Sequence, residues 1–327
     1  MKYFVTGASG FIGSRICETL AARGDKVTAF CRDPGKLVLQ NDLISVRQGD
    51  ICKPKTLDAM DGADFCFHLA SLAAQWARQS ESFYRVNVDG TQNVLFAAEK
   101  FGLKKVVYTS TAGIYGPSSR DKLLNERSEG NFDLKSDYEK SKKQAEQVVK
   151  EFSAETGLPC CVVNPTRVYG PGNLSESNAL TKIIRRYASG RVQWVPGDGQ
   201  YIGNYVFVDD VVDGHLRAMG KGRVGENYIL GGSNVSLDEL FDLFAKVTCN
   251  QRVRVRLPLP LIKMFASMQD FLAAKVGLRP LVTCKSVSKY ASNNAFSIEY
   301  AKAKLGYDPI GLKEGVQRTV SWLSDLG

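Results

Sequence analysis

The sequence predicts an α/β fold: a doubly wound parallel sheet in the first half, and a smaller, mostly helical unit on its C-terminal side. Three observations carry this expectation. Short apolar runs rich in β-branched and aromatic residues alternate with helical patterns from residue 2 to residue 164, the rhythm of a parallel sheet covered on both faces. A glycine triplet separates the first run from the first helix. After Pro165 the rhythm loosens into Gly- and Pro-rich stretches (YGPGNLSES, VPGDGQYIGN), and from Val235 helical patterns dominate.

Taken in order, residues 2–6, 26–31, 63–69, 105–110 and 159–164 read as strands, and residues 11–23, 83–101 and 138–156 as helices. Residues 205–218 return to a strand followed by a helix. These assignments predict a nucleotide-binding domain over residues 1–165, rejoined by 205–218, and a substrate domain over 166–327 covering the carboxyl edge of the sheet, where ligands bind in open α/β folds. A chain of 327 residues is ample for such a core. Pro260 can open and Gly277 close a further helix over 261–276, whose Leu261, Met264, Phe265, Met268, Phe271, Leu272 and Val276 recur at three- and four-residue intervals. This face is expected either to pack on the substrate domain's core or to line an apolar substrate cavity.

Composition excludes several classes. No stretch holds the roughly 18 uncharged apolar residues of a membrane span. The N-terminus, MKYFVTGASGFIG, enters a strand without a signal peptide's apolar region and cleavage site, so a cytoplasmic location is expected. The eight cysteines form no CxxC pair and read as reduced thiols. With two histidines, His68 and His215, and no Cys/His cluster of ligand spacing, no metal site is expected. The net charge of +9 is concentrated: residues 251–304 hold ten Lys/Arg against two acids, Asp270 and Glu299. This is a weak signal for nucleic acid, which usually wants basic residues interleaved with exposed aromatics. It reads as a solvated basic face, or as one suited to an anionic substrate or an anionic membrane surface.

In YFVTGASGFIGSRICETL the three glycines have separate tasks. Gly7 permits a tight turn, Gly10 lets the backbone approach a pyrophosphate, and Gly13 lets the helix pack closely on the strand. The free N–H groups and positive dipole end of the helix then face the anion. Gly7, Ser9, Gly10, Phe11, Ile12 and Gly13 are the expected contacts of a Rossmann-type dinucleotide site.

An NAD site usually ends its second strand with an acid that holds the ribose hydroxyls. Here that place is Cys31, followed by Arg32, and a guanidinium suits a 2′-phosphate. Lys36 is near enough to help, while Asp33 could serve as a late ribose acid. NADP(H) is therefore the expected cofactor and NAD(H) the alternative.

Tyr138 and Lys142, one helical turn apart in SDYEKSKKQAEQVV, share a face. A phenol titrates near 10, and a neighbouring ammonium lowers that value. The pair can therefore move a proton at a substrate oxygen, and Lys142 could also hold the nicotinamide ribose. A hydroxyl from VVYTSTAGIYG, which offers Thr109, Ser110 and Thr111, should polarise the same oxygen.

These motifs resemble the extended short-chain dehydrogenase/reductase superfamily over nearly the whole chain. TGASGFIG resembles its opening, and the spacing is GxxGxxG instead of the commoner GxGxxG. CRDPGK resembles the VRDP segment of dihydroflavonol reductases, in which the Arg faces the NADP phosphate. Gly49–Asp50–Ile51 resembles the turn whose acid meets the adenine, so Asp50 and Ile51 are implied contacts. His68–Leu69–Ala70–Ser71 resembles the segment along the ribose and pyrophosphate, which implies Leu69, Ala70 and Ser71. In NPTRVYGPG, Pro165 and Val168 should flank the nicotinamide. His68 and Asn87 read as structural. Matching the serine-rich string of the superfamily from Ala112 places the active hydroxyl on Thr111.

Two branches are resembled: the dihydroflavonol-reductase and 3-beta-hydroxysteroid dehydrogenase branch, and the hopanoid-associated sugar epimerases. The first implies a ketone–alcohol oxidoreductase acting on a bulky, apolar molecule. The second implies a nucleotide-sugar epimerase or dehydratase with tightly held NAD. Such epimerases usually carry an Arg just before the strand leading to VDD, where this chain has Gly203 and Asn204. A non-catalytic nucleotide sensor is a third reading, disfavoured by the intact Thr111, Tyr138 and Lys142. A homodimer is expected.

Overall fold

The structure, a computed structural model, describes residues 1–37, 41–74, 76–119, 122–128, 134, 136–174, 176–276 and 280–326. The first half alternates as β1 (Lys2–Thr6), α1 (Phe11–Ala22), β2 (Lys26–Cys31), β3 (Ile44–Gln48), β4 (Phe65–His68), α2 (Glu81–Tyr84), α3 (Gly90–Lys100), β5 (Lys105–Thr109), α4 (Asp137–Thr156) and β6 (Cys160–Pro165). The second half adds β7 (Arg167–Tyr169), α5 (Ala179–Ala188), β8 (Gln193–Pro196), β9 (Ile202–Phe207), α6 (Val208–Lys221) and β10 (Asn227–Leu230). It ends with β11 (Ser233–Ser236), α7 (Leu237–Thr248), β12 (Arg254–Leu257), α8 (Leu259–Val276), α9 (Cys284–Tyr290), α10 (Glu299–Leu305) and α11 (Leu312–Asp325).

Seven strands form one parallel sheet in the order β10-β6-β5-β4-β1-β2-β3. The chain winds outward from β1 to β3, then crosses back to β4 and winds the other way. The reversal between β1 and β4 is the switch point at which such sheets open a ligand crevice. Central strands are buried on both faces, as in β6, where all of CCVVNP is buried, which explains their unbroken apolar runs. On one face α1 and α6 bury Ile16, Leu20, Val211 and Val212 against Val5, Val107 and Val163. On the other α3 and α4 bury Val94, Leu95, Val149 and Phe152 against Phe4, Cys66 and Val106.

Two sheet strands carry little sequence signal. β3 is an edge strand with four of its five residues exposed, so its pattern is mostly polar. β10 has four residues and opens on Asn227. Of residues 205–218, helix α6 packs on the main sheet, whereas β9 pairs with β7 and β11 in a separate three-stranded sheet. β8 and β12 make a two-stranded ribbon. A further core in the second half joins Ile184, Tyr187, Phe241 and Phe244 from α5 and α7 to Phe207 and Val316.

The predicted helix over 83–101 is a continuous helical segment interrupted by a π turn at Arg85–Asp89. Within that turn Asn87 is buried, with its side chain turned to groups outside the helix, the kind of insertion that accompanies π-bulges at functional sites. α8 corrects a second expectation. Its Leu261, Met264, Phe265, Met268, Phe271 and Leu272 are exposed, while Ala266 and Ala273 face inward. The periodicity identifies an apolar face; that face neither joins the core nor is enclosed. The side chain of Val276 and all of Gly277 lie outside the described residues.

Candidate active site

The glycine turn follows directly from β1. Gly7 takes φ of 70°, and a Cβ there would lie 2.7 Å from the Ala70 backbone nitrogen, so only glycine fits. The Gly10 N–H donates to the Gly7 carbonyl at 2.9 Å. Gly10 is also the N-cap of α1 and offers no side-chain cap, leaving the first N–H groups of the helix available to a ligand. At Gly13 a Cβ would sit 2.3 Å from the Gly7 carbonyl oxygen; α1 packs that closely on the turn. Ser9 and Ile12 are half-buried, whereas the Phe11 ring is buried and lies against Gly172. A backbone cradle that side chains would fill, beside an uncapped helix N-terminus, fits a dinucleotide pyrophosphate.

At the end of β2, Cys31 is buried and its thiol meets the Ser9 side chain. Arg32 is exposed, with its carbonyl accepting from Gln48 Nε2. Asp33 is committed locally. One carboxylate oxygen caps the Gly35 N–H at 3.1 Å and the other pairs with Lys36 Nζ at 3.2 Å. The structure therefore leaves Arg32 open and places Lys36 on Asp33. Asp50 is likewise engaged, accepting from the Cys52 N–H at 3.0 Å. Ile51 is buried beneath Gly90.

Across the switch point, the 69–70 turn is fixed by a residue the sequence reading passed over. Thr6 Oγ1 accepts from the Leu69 and Ala70 N–H groups, both at 3.1 Å, and lies 2.7 Å from His68 Nδ1. With two N–H groups already accepted, the hydroxyl donates to Nδ1. His68 therefore carries its proton on Nε2 and donates to Thr91 Oγ1 at 3.0 Å, and Thr91 donates to the Asn87 carbonyl at 2.6 Å. Burial pushes the imidazole down to about 3, with the Lys142 charge adding to the effect. Asking where the buried N–H groups of the turn find acceptors would have exposed Thr6. Ser71 is half-buried in the same segment.

α4 begins at an N-cap Ser136, which accepts from the Glu139 N–H, and ends at Gly157 in the left-handed region with φ of 78°. Tyr138, half-buried at its start, has its phenol in hydrogen-bonding contact with the Thr111 side chain. Thr111 also caps the Gly113 N–H at 3.2 Å. Lys142 is buried, donates from Nζ to the Thr109 carbonyl at 2.6 Å and lies 4.2 Å above the Tyr108 ring. The structure thus brings Thr111, Tyr138 and Lys142 together at the carboxyl end of β5. Ser110 is turned away; its buried hydroxyl meets no partner among the described residues.

Burial dominates the electrostatics. Desolvation pushes the Tyr138 phenol up to about 12, opposed by the Thr111 contact, and pushes Lys142 down to about 7, opposed by the Glu146 carboxylate. Loss of water and the nearby Glu139 charge raise the phenol and only the Thr111 contact lowers it; the lowering expected from the Lys142 ammonium is not among the influences on it. Glu146, one turn beyond Lys142, is itself buried and held by the side-chain amides of Asn164, at 3.1 Å, and Asn227. Asn164 also donates to the Thr111 carbonyl at 3.4 Å. Asn87 Nδ2 donates to Ser141 Oγ at 2.9 Å, and Ser141 donates to the Tyr138 carbonyl at 2.8 Å. None of these positioning groups has a spacing signature. Glu146 alone could have been found, from its place four residues after Lys142.

Pro165, the last residue of β6, and Val168, in the middle of β7, are both buried. At the position where an epimerase would carry an Arg, Asn204 is buried and accepts from Thr166 Oγ1 at 2.7 Å and the Gly232 N–H at 2.8 Å. A Cβ at Gly203 would lie 2.6 Å from Arg167 Nη1. Both positions are structural.

Fold and site together define an NAD(P)-dependent oxidoreductase of the short-chain dehydrogenase/reductase type. The sequence profile of the NAD dependent epimerase/dehydratase family matches residues 3–231, and the chain belongs to that family. It is 28% identical over 332 residues to sterol demethylase protein B of Methylococcus capsulatus, covering 100% of this chain and 99% of that one. It is 28% identical over 328 residues to a 3-beta-hydroxysteroid dehydrogenase of Mycolicibacterium neoaurum, covering 94% and 87%. Among solved structures, UDP-glucose 4-epimerase of Thermotoga maritima superposes with a TM-score of 0.82 at 25% identity, covering 100% of this chain and 99% of that one.

Proposed function

We propose that the protein is an NADP(H)-dependent oxidoreductase that interconverts a ketone and a secondary alcohol on a bulky, apolar small molecule. The observation that carries this reading is the meeting of Thr111, Tyr138 and Lys142 at the sheet edge beside the glycine cradle. Gly7 to Gly13 would hold the pyrophosphate, Arg32 a 2′-phosphate, and Pro165 and Val168 the nicotinamide. Bound there, that ring supplies or accepts a hydride. Tyr138 gives or takes the proton of the substrate oxygen, and Thr111 hydrogen-bonds the same oxygen as charge develops on it. Lys142 stands one turn beyond the phenol on the same helical face, and Glu146 with Asn164 fixes the Lys142 and Thr111 ends of the site.

NADP(H) is favoured because Asp33 caps its own turn while Arg32 stands open. The apolar substrate is favoured by the sterol and steroid relatives and by the structural roles of Gly203 and Asn204. The fold neighbour named as an epimerase keeps nucleotide-sugar epimerisation as the second reading. All eight cysteines are free, which suits the reducing cytoplasm.

The test is a turnover screen with NADPH and NADH against steroid, terpenoid and flavonoid ketones beside UDP- and dTDP-sugars. NADPH oxidation by a bulky ketone, abolished in Tyr138→Phe, is expected. Arg32→Ala should erase an NADPH preference of about 1.5–3 kcal/mol, the worth of one charge-assisted hydrogen bond. Conversion of a UDP-sugar without net cofactor turnover would replace the reading by the epimerase. NADH bound as tightly as NADPH would remove the NADP assignment.

A further inference from the structure

We infer that α8 is a docking surface for an anionic lipid bilayer, lying on it without crossing it. Six large apolar side chains are turned outward on this one helix: Leu261 at 55% exposure, Met264 at 68%, Phe265 at 47%, Met268 at 51%, Phe271 at 62% and Leu272 at 41%. At about 100° per residue they fall within an arc of roughly 120°, a stripe wide enough to lie in an interface. Lys275 is exposed at the C-terminal end of the same stripe, with a stem long enough to carry its ammonium to the headgroups, while Lys263 is exposed about 140° from the stripe's centre, on the other side of the helix. No helix among the described residues is long and apolar enough to cross a membrane, so burial in the interfacial plane is the arrangement left to a lipid-bound stripe.

The protein side of α8 is occupied. Asp270 accepts from the Cys284 N–H at 2.9 Å, Gln269 accepts from the Leu281 N–H at 2.6 Å, and Ala266 and Ala273 are buried. The helix therefore cannot roll its stripe inward without breaking its seat on α9.

Charge decides the occupant. The helix lies in the segment 251–304, with ten basic residues and two acidic ones; Arg254, Arg256, Lys285 and Lys302 are ion-paired within the chain, whereas Lys275 stands exposed at the stripe. A second copy pairing through the same stripe in a symmetric dimer would bring two such segments together, like charge against like. An anionic membrane surface instead complements the segment. α9, on which α8 is seated, reaches the start of α4, because Lys285 pairs with Asp137 at 2.8 Å, one residue before Tyr138.

The test is flotation of the full chain with vesicles of phosphatidylcholine alone and of phosphatidylcholine mixed with phosphatidylglycerol. The protein should float with the anionic vesicles and be released by salt. Lys275→Glu should weaken that binding by about fivefold or more. Met264→Asp/Phe271→Asp should abolish it, with cofactor binding unchanged. Wild-type protein that stays with the unbound fraction on anionic vesicles would overturn the inference. So would a wild-type dimer converted to monomer by Met264→Asp/Phe271→Asp, which would assign the stripe to a second copy. Flotation requires no turnover, so its failure leaves the oxidoreductase reading intact.

Discussion

Replacing Lys142 by Met should stabilise the cofactor-free protein at pH 7, with the advantage fading as pH rises. Lys142 is 1% exposed, and burial pushes it down to about 7 from an ordinary 10.5. Below pH 7 the folded and unfolded chains both carry the proton, and the folded state bears the full cost of a buried charge. Between pH 7 and 10.5 the folded protein has released the proton while the unfolded chain keeps it, so stability climbs with pH. The slope approaches about 1.4 kcal/mol per pH unit, which integrates to about 2 kcal/mol between pH 7 and 9. Other groups titrate in this range or above it; Cys160 and Cys161, pushed up to about 12 and about 11, lose stability as their unfolded counterparts ionise. Those contributions are common to both proteins and cancel in the difference. Met keeps a flexible apolar stem over the Tyr108 ring. Urea unfolding of both proteins at pH 7, 8 and 9 gives the result directly. Curves that stay parallel, with a difference independent of pH, would refute a desolvated ammonium at this position.

Two further outcomes test the geometry around that pair. Thr111→Ala should reduce turnover on the order of a hundredfold, as removal of an oxyanion donor does, while Ser110→Ala should leave turnover near wild type and melt no lower, because that hydroxyl has no partner to lose; steady-state rates in the reverse order would move the active hydroxyl to Ser110. Gly13→Ala places a methyl 2.3 Å from the Gly7 carbonyl oxygen, a backbone atom that yields only if the turn shifts, so fluorescence titration should show dinucleotide affinity reduced at least tenfold while the helical circular dichroism is retained. Unchanged affinity would mean that the turn is not the cradle.

How much could be read in advance follows from what kind of interaction fixed each feature. The central strands were legible because burial on both faces leaves no room for polar residues, and the glycine turn because close backbone approach admits one residue type. β3 and β10 were not, since one is a half-exposed edge and the other is too short to show a period. Asp33, a possible late ribose acid by its position, also caps Gly35, a side chain-to-backbone contact that spacing does not reveal. Thr6 and Glu146 draw their importance from partners more than 60 residues away, His68 and Leu69 for one and Asn227 for the other. At α8 the periodicity marked the apolar face correctly, but a period says only that a helix has two sides, not what each side meets.

One chain of contacts crosses the molecule from the glycine turn to the catalytic helix: Thr6 to His68, His68 to Thr91, Thr91 to Asn87, Asn87 to Ser141, Ser141 to the backbone of Tyr138. Its one ionisable member, His68, is held neutral down to about pH 3. The cradle and the acid are therefore not two modules that happen to face one another. They are braced by a strut of hydroxyl, imidazole and amide that keeps one proton arrangement across the whole range in which a cell lives, so acidity can change the chemistry at Tyr138 without slackening the frame that aims it.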